Sequence, residues 1–193
     1  MMRLAVLLLS LAALAAGCGG SDEEEAGPPP TVLPRSVSVE EWASRLVNEL
    51  FRPTNRDIET LATLNNPQTK LFIVQGNETT LEVIRERMND LAKCSNRLIT
   101  IGPPPAGETR LPRLRRIDAS LRTACVHYAK VSEKVLLAVK LMSSGRSDVI
   151  VRGERTLADA VPDATAGAKA YDRAFKIALT IPEFRIFGVK PPG

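Results

Sequence analysis

Apolar residues recur at steps of three and four along most of the chain, which is the spacing of one face of an α-helix. The first such run begins at Ser38-Val39-Glu40-Glu41, a hydroxyl followed three residues later by a glutamate, as in a helix capping box. Pro53 is expected to stop or kink this run, and Thr54 to cap a second one. Asn66-Pro67 has the order of an N-cap and a first helical residue, so the apolar piece at 71–74 is predicted as helix rather than strand.

Three further runs follow the same period. One carries its apolar stripe over residues 81–98, and a run of about thirty residues starts near Pro112. Ser147 is expected to cap a final run, which Pro162 should kink. Because little of the chain alternates with period two, residues 38–193 are predicted as an all-α domain, an antiparallel bundle of about four long helices.

The N-terminal segment has a different pattern. Arg3 precedes a stretch of 13 residues, 4–16, in which Ser10 is the only polar residue. A transmembrane helix needs roughly 20 apolar residues, so this stretch is too short to span a bilayer. A short apolar core behind a basic residue is typical of a secretory signal peptide.

The segment ends in Leu14-Ala15-Ala16-Gly17-Cys18 and resembles a bacterial lipoprotein signal peptide with its lipobox, although Ala15 stands where that family favours leucine. The resemblance implies that residues 1–17 are removed, that Cys18 is lipidated, and that the protein lies on the extracytoplasmic side of a membrane in the cell envelope. An ordinary signal peptide or a buried N-terminal helix is the alternative. The Pro103-Pro104-Pro105 loop, the leucine run behind it and Ala124-Cys125 resemble uncharacterised helical-bundle envelope lipoproteins, which implies a bundle and no activity.

Residues 18–37 are acidic and rich in proline, a composition that resists packing and favours an extended spacer. At about 3 Å per residue this predicted tether reaches about 50 Å from the lipid. The tether contains four acidic residues, and the chain as a whole has a formal charge of +4. Residues 26–193 hold 25 basic and 18 acidic side chains, a balance of +7, so this part of the chain should be attracted to an anionic envelope surface.

Two cysteines remain once Cys18 is assigned to the lipid. An exported protein meets oxidising conditions, so we expect a disulfide between Cys94 and Cys125, with buried free thiols or a redox or metal role as alternatives. The bridge closes a loop of about 30 residues and should stabilise the fold by about 3–4 kcal/mol. Cys125 and His127 point about 160° apart on a helix and cannot readily share one ion, so no metal site and no cofactor are predicted.

A basic stretch precedes and enters the longest run. It comprises Arg110, Arg113, Arg115, Arg116 and Arg122. Such a stretch could bind anionic lipid, cell-wall polymer or nucleic acid. On a helix, however, Arg115 and Arg122 fall on one flank of the apolar stripe and Arg113 and Arg116 on the other, so solvated flanks are the favoured interpretation. Aromatic residues for base stacking are missing, and no nucleic-acid partner is predicted.

Catalytic chemistry finds little support in the sequence. His127 is the one histidine and is predicted to lie at the surface or at the boundary of the core. Glu82, Glu86 and Asp90 recur four apart and could be an acid and a base, but a solvated helix face is the simpler interpretation. Nucleophile, phosphate-loop and metalloprotease motifs are absent from the sequence, so the protein is predicted not to be an enzyme.

These observations favour a lipid-anchored envelope protein that binds another protein or a wall polymer without catalysis. A carrier of a small apolar ligand is the alternative, because small residues along 158–170 could leave a pocket between helices. Close helix packing is the favoured explanation of the same small residues. An enzyme is the third and least supported possibility.

Overall fold

The computed structural model describes residues 37–188, and the predictions for the signal peptide, for Cys18 and for most of the tether lie outside this range. The described residues form helices and no strand, which confirms the all-α class. The α-helices are α1 (Val39–Arg45), α2 (Arg52–Thr63), α3 (Pro67–Val74), α4 (Glu78–Ala92), α5 (Cys94–Ile101), α6 (Leu111–Met142), α7 (Ser147–Ala178) and α8 (Pro182–Ile186), and a π-helical segment covers Leu46–Phe51.

Four long helical runs account for most of this length, in agreement with the predicted bundle. Helix α1, the π-helical segment and α2 follow one another without a break, and α4 and α5 are separated only by Lys93. Helices α6 and α7 have 32 residues each. They lie antiparallel, since Lys134 of α6 contacts Asp163 of α7 while Gly153, earlier in α7, lies against Met142 at the end of α6.

Side-chain caps start three of the helices, and the sequence predicts two of them, at Ser38 and Asn66. The Ser38 hydroxyl accepts a hydrogen bond from the Glu41 amide at 3.1 Å, and Asn66 accepts one from the Gln68 amide at 2.9 Å. Asn77 does the same for α4. These oxygens satisfy amides that have no partner within the helix, which is why the helices begin where they do.

Two other predicted caps are wrong. Thr54 lies inside α2, fully buried, because the helix does not stop at Pro53. The preceding π-helical segment widens the turn, and the Arg52 amide donates to the Val47 carbonyl five residues earlier. A proline lacks an amide hydrogen, and a wider turn is a common way to accommodate one. Ser147 is the first residue of α7 rather than its cap.

Glycines let α6 and α7 approach closely. A Cβ atom at Gly167 would lie 2.8 Å from Cε1 of Tyr128, and one at Gly153 would lie 2.9 Å from the Ala138 carbonyl oxygen. Both distances are too short for packed atoms. Gly167 is buried, as is Ala160, so close packing is the role of these members of the small-residue segment.

An aromatic cluster joins the first helical run to the last helices of the described range. The Phe51 ring meets Tyr171, Phe175 and Phe184 edge to face at centroid distances of 5.5, 5.8 and 6.5 Å. Trp42 meets Phe184 in the same way at 6.1 Å. These rings hold α8 and the last turns of α7 on the first helical run.

The predicted disulfide is present. Cys94 and Cys125 are bonded, with their Cα atoms 5.2 Å apart. Cys94 is the first residue of α5 and Cys125 lies well inside α6. The loop between α5 and α6 therefore places the start of α6 so that Cys125, in the interior of α6, lies level with Cys94.

Candidate functional site

The five arginines of the basic stretch separate into paired and unpaired residues. Arg110 forms an ion pair with Glu183 of α8 at 2.7 Å, and Arg122 pairs with Asp118 one turn earlier at 2.8 Å. Arg115 is exposed. These three side chains do not form a common site.

Arg113 and Arg116 line a surface groove between the start of α6 and the end of α7. Its volume is about 600 Å³. The other side chains that line the groove belong to α7 and its C-terminus: Lys169, Asp172, Arg173, Lys176, Ile177 and Thr180.

The groove carries a strong positive charge. Five basic side chains line it against one acidic side chain, Asp172, which pairs with Lys176 at 2.7 Å. The remaining four cations, Arg113, Arg116, Lys169 and Arg173, have no acidic partner within residues 37–188. Unpaired cations lining one concave surface raise the local concentration of anions.

Helix periodicity explains how this charge is collected. Arg113 and Arg116 are three residues apart, and Lys169, Arg173 and Lys176 follow one another at steps of four and three, so each set shares one helix face. The antiparallel pairing of α6 and α7 brings the two faces together. The sequence interpretation of solvated flanks covered the α6 residues alone and missed the α7 lysines and arginine, although their spacing was a usable signal.

The groove suits a ligand with several phosphate or carboxylate groups. Guanidinium groups bind such oxyanions in a bidentate manner, and lysine adds a mobile point charge. Ile177 and Thr180 contribute a small apolar contact and a hydroxyl at one side of the groove. Asp172, the one carboxylate in this lining, is paired with Lys176, so the cations that remain are free to bind an oxyanion.

His127 lies at the boundary of the core, as the sequence predicts, with 27% of its side chain exposed. Its Nδ1 lies 3.0 Å from Oδ1 of Asp163 in α7, and Lys134 donates to the other carboxylate oxygen at 2.7 Å. These two hydrogen bonds, that of Lys134 first, lower the pKa of Asp163 to about 2. The cluster links α6 to α7 and has no hydroxyl or thiol partner among the described residues.

The predicted acidic face on α4 is largely solvated. Glu82 and Glu86 are exposed, whereas Asp90 is partly buried and pairs with Lys93 at 3.0 Å and Arg97 at 3.9 Å. The hydrogen bond from Lys93 lowers the pKa of Asp90. The three carboxylates do not converge on one point.

Sequence reasoning missed a buried polar cluster between α2, α4 and α5. Asp57 is fully buried, with one carboxylate oxygen 3.6 Å from Nη1 of Arg97. Neither of its oxygens has a hydrogen-bond partner, and the same holds for the Thr54 hydroxyl and for one buried nitrogen each of Arg87 and Arg97. Burial raises the pKa of Asp57 to about 6, although Arg97 acts in the opposite direction.

The pocket expected for an apolar ligand is small. A cavity of about 70 Å³ lies between the end of α2, the middle of α6 and α7, with Ala160 and Ala164 in its lining. This is room for a few water molecules. The cavity lends no support to a carrier.

Two other features bear on the predicted absence of a metal site and on the membrane. In the described part of the chain, no group of three or more histidine, cysteine, aspartate or glutamate side chains lies close enough to hold a metal ion. Within the same range, no helix has the length and apolar character required to cross a bilayer.

Comparison of the chain with known protein families, with curated proteins and with solved structures gives no match in any of the three.

Proposed function

We propose that this protein is a lipid-anchored, extracytoplasmic binding module whose basic groove takes a multivalent anion bearing phosphate groups. The observation that carries the proposal is the set of four cations without acidic partners that line one groove. The lipobox at Leu14–Cys18 supports the anchor. No catalytic step is part of the proposed function.

Binding at this site should be electrostatic and sensitive to salt. Exposed charges are screened beyond about 10 Å at 0.1 M ionic strength, so affinity should fall steeply as salt rises. The groove is open to solvent, and most of the side chains that line it end in a charged group. We therefore expect recognition of charge density and phosphate geometry rather than of one exact small molecule.

The direct test is a calorimetric titration of the mature chain, carrying Cys18→Ser, with inorganic polyphosphate. It is carried out at several salt concentrations. We expect binding that weakens with salt and is lost in the double variant Lys169→Glu/Arg173→Glu. The matched control is Arg115→Glu/Lys140→Glu, which makes the same change in net charge at two exposed positions outside the groove. Equal loss in both variants would show that net charge, and not the groove, attracts the anion.

The anchor is tested separately by the intact mass of the protein extracted from bacterial membranes. An acylated N-terminus at Cys18 should appear, and Cys18→Ala should let a wash with about 1 M salt, which screens the basic groove, release the protein from the membrane fraction. A chain that retains residues 1–17 and carries no lipid would contradict this part of the proposal.

A further inference from the structure

The basic groove lies at the end of the domain where the chain enters from the predicted tether. Ser38, just before α1, borders a surface depression together with Phe187, just after α8. Glu183 of α8 pairs with Arg110, which immediately precedes α6. The entry of the chain, α8, the start of α6 and the end of α7 therefore share one end of the domain.

Helix α8 adds an exposed apolar residue to this end. Ile186 is 73% exposed, the highest value among the large apolar residues at the described surface. Arg185 beside it donates from Nε to the Leu179 carbonyl at 2.8 Å and has no acidic partner within the described residues. Surfaces that bind at a membrane interface combine exposed apolar side chains with basic ones. Ile186, Arg185 and the basic groove supply this combination.

Acidic residues restrict this surface to one side of α8. Glu40, Glu41 and Glu49 border the depression that Phe187 shares with Ser38. The groove lies between α6 and α7 and is lined by none of these glutamates. Arg45 also lines the depression and pairs with Glu49, so an anionic surface is attracted to the groove side of this end more strongly than to the α1 side.

We propose that the groove and α8 dock the domain on the anionic phospholipid surface of the membrane that holds its lipid, with headgroup phosphates in the groove and Ile186 in the interface. This inference rests on the proposed function and names its ligand. The bilayer is favoured because the lipid on Cys18 keeps it within reach at all times. A tether of the length predicted from the sequence, about 50 Å, gives a high effective concentration of headgroups, so weak individual contacts suffice.

The size of the effect follows from the number of cations. Each basic residue near an anionic leaflet strengthens association by about fivefold at moderate ionic strength. Arg113→Glu/Arg116→Glu removes two unpaired cations and adds two anions. Partition onto anionic vesicles should therefore fall by at least about 25-fold.

The experiment uses the mature Cys18→Ser chain, so that docking is measured without the anchor. It is mixed with vesicles of phosphatidylcholine alone or with added phosphatidylglycerol, and sedimentation gives the bound fraction. We expect binding only to the anionic vesicles, reversal at about 1 M salt, where the screening length is about 3 Å, and loss in Arg113→Glu/Arg116→Glu. Arg115→Glu/Lys140→Glu is again the control for net charge.

A second readout locates the contact. With Cys94 and Cys125 bonded and Cys18 replaced, Ile186→Cys supplies the one free thiol for a polarity-sensitive fluorophore. Its emission should shift to the blue on anionic vesicles. The same label at Val151→Cys, 46% exposed and about 27 Å along α7 from Lys169, should not respond.

The outcomes separate this inference from the proposed function. Binding of polyphosphate without binding of anionic vesicles would overturn the membrane surface as the ligand and leave the anion site intact. Failure of both would overturn the groove as an anion site. Vesicle binding with no response at position 186, or an equal response at position 151, would refute the docked orientation.

Discussion

Replacing Asp57 by asparagine should stabilise the protein at neutral pH and remove a pH dependence that the wild type shows. The side chain is fully buried, and its oxygens accept no hydrogen bond. Arg97 lies 3.6 Å away and compensates only part of the cost of burying the charge. Asparagine has nearly the shape of the protonated acid, so the variant reproduces the uncharged state at every pH.

The magnitude follows from the pKa of Asp57. Burial raises it from an ordinary 3.8 to about 6, a difference of about two units, which corresponds to about 3 kcal/mol. The folded state therefore binds the proton more tightly than the unfolded state does. The penalty is fully present above about pH 6, declines as the pH falls, and is absent below 3.8. Through this group the wild type gains stability as the pH falls from 7 towards 4.

The assay is urea unfolding of the oxidised chain, followed by far-ultraviolet circular dichroism at constant ionic strength from pH 7.5 to about pH 4. Asp57→Asn should exceed the wild type by about 3 kcal/mol at neutral pH, and the two should converge near pH 4. Asp148→Asn is the control, because that side chain is 67% exposed and paired only with Arg146 at the surface. A variant less stable than the wild type at neutral pH, or a constant difference across the range, would refute the reasoning.

Three further changes test the packing and the links between the helices. Gly167→Ala should lower the free energy of unfolding by about 1–2 kcal/mol, since overpacking against Tyr128 outweighs the gain in helix propensity; an unchanged urea midpoint would show that the ring moves aside at no cost. Replacing Cys94 and Cys125 by alanine should cost about 4 kcal/mol for a loop spanning 31 residues, and a loss below about 1 kcal/mol would contradict the loop-entropy argument. Asp163→Asn should lower the free energy of unfolding above pH 4, and the variant should lose less stability than the wild type between pH 4 and 2. The reason is that the lowered pKa of Asp163 stabilises the fold above pH 3.8, and this contribution disappears as the acid is protonated. Acid unfolding curves of the variant that run parallel to those of the wild type would argue against this role.

Local patterns were sufficient to predict the helices and several of their starts. The Ser38 and Asn66 caps depend on an oxygen placed two or three residues before the amide that it serves, so sequence spacing alone determines them. The prediction at Thr54 was wrong because the π-helical segment before Pro53 lets the helix continue. Capping and periodicity patterns carry no signal for the wider turn of that segment.

The sequence by itself determined the helical class and the approximate course of the four helical runs, because periodicity and capping are properties of short segments. It favoured a bridge between Cys94 and Cys125 once Cys18 was assigned to the lipid, with free thiols or a redox or metal role as alternatives, and the structure has the two cysteines bonded. The tertiary structure alone decided that Arg113 and Arg116 face Lys169 and Arg173 across one groove, and that Asp57 is enclosed beside Arg97. Electrostatic potential and desolvation depend on distances in space, summed over every helix that approaches a group. Residues 40 or more positions apart in the chain create both features, and only the packing of α6 on α7 and of α2 on α4 and α5 brings them together.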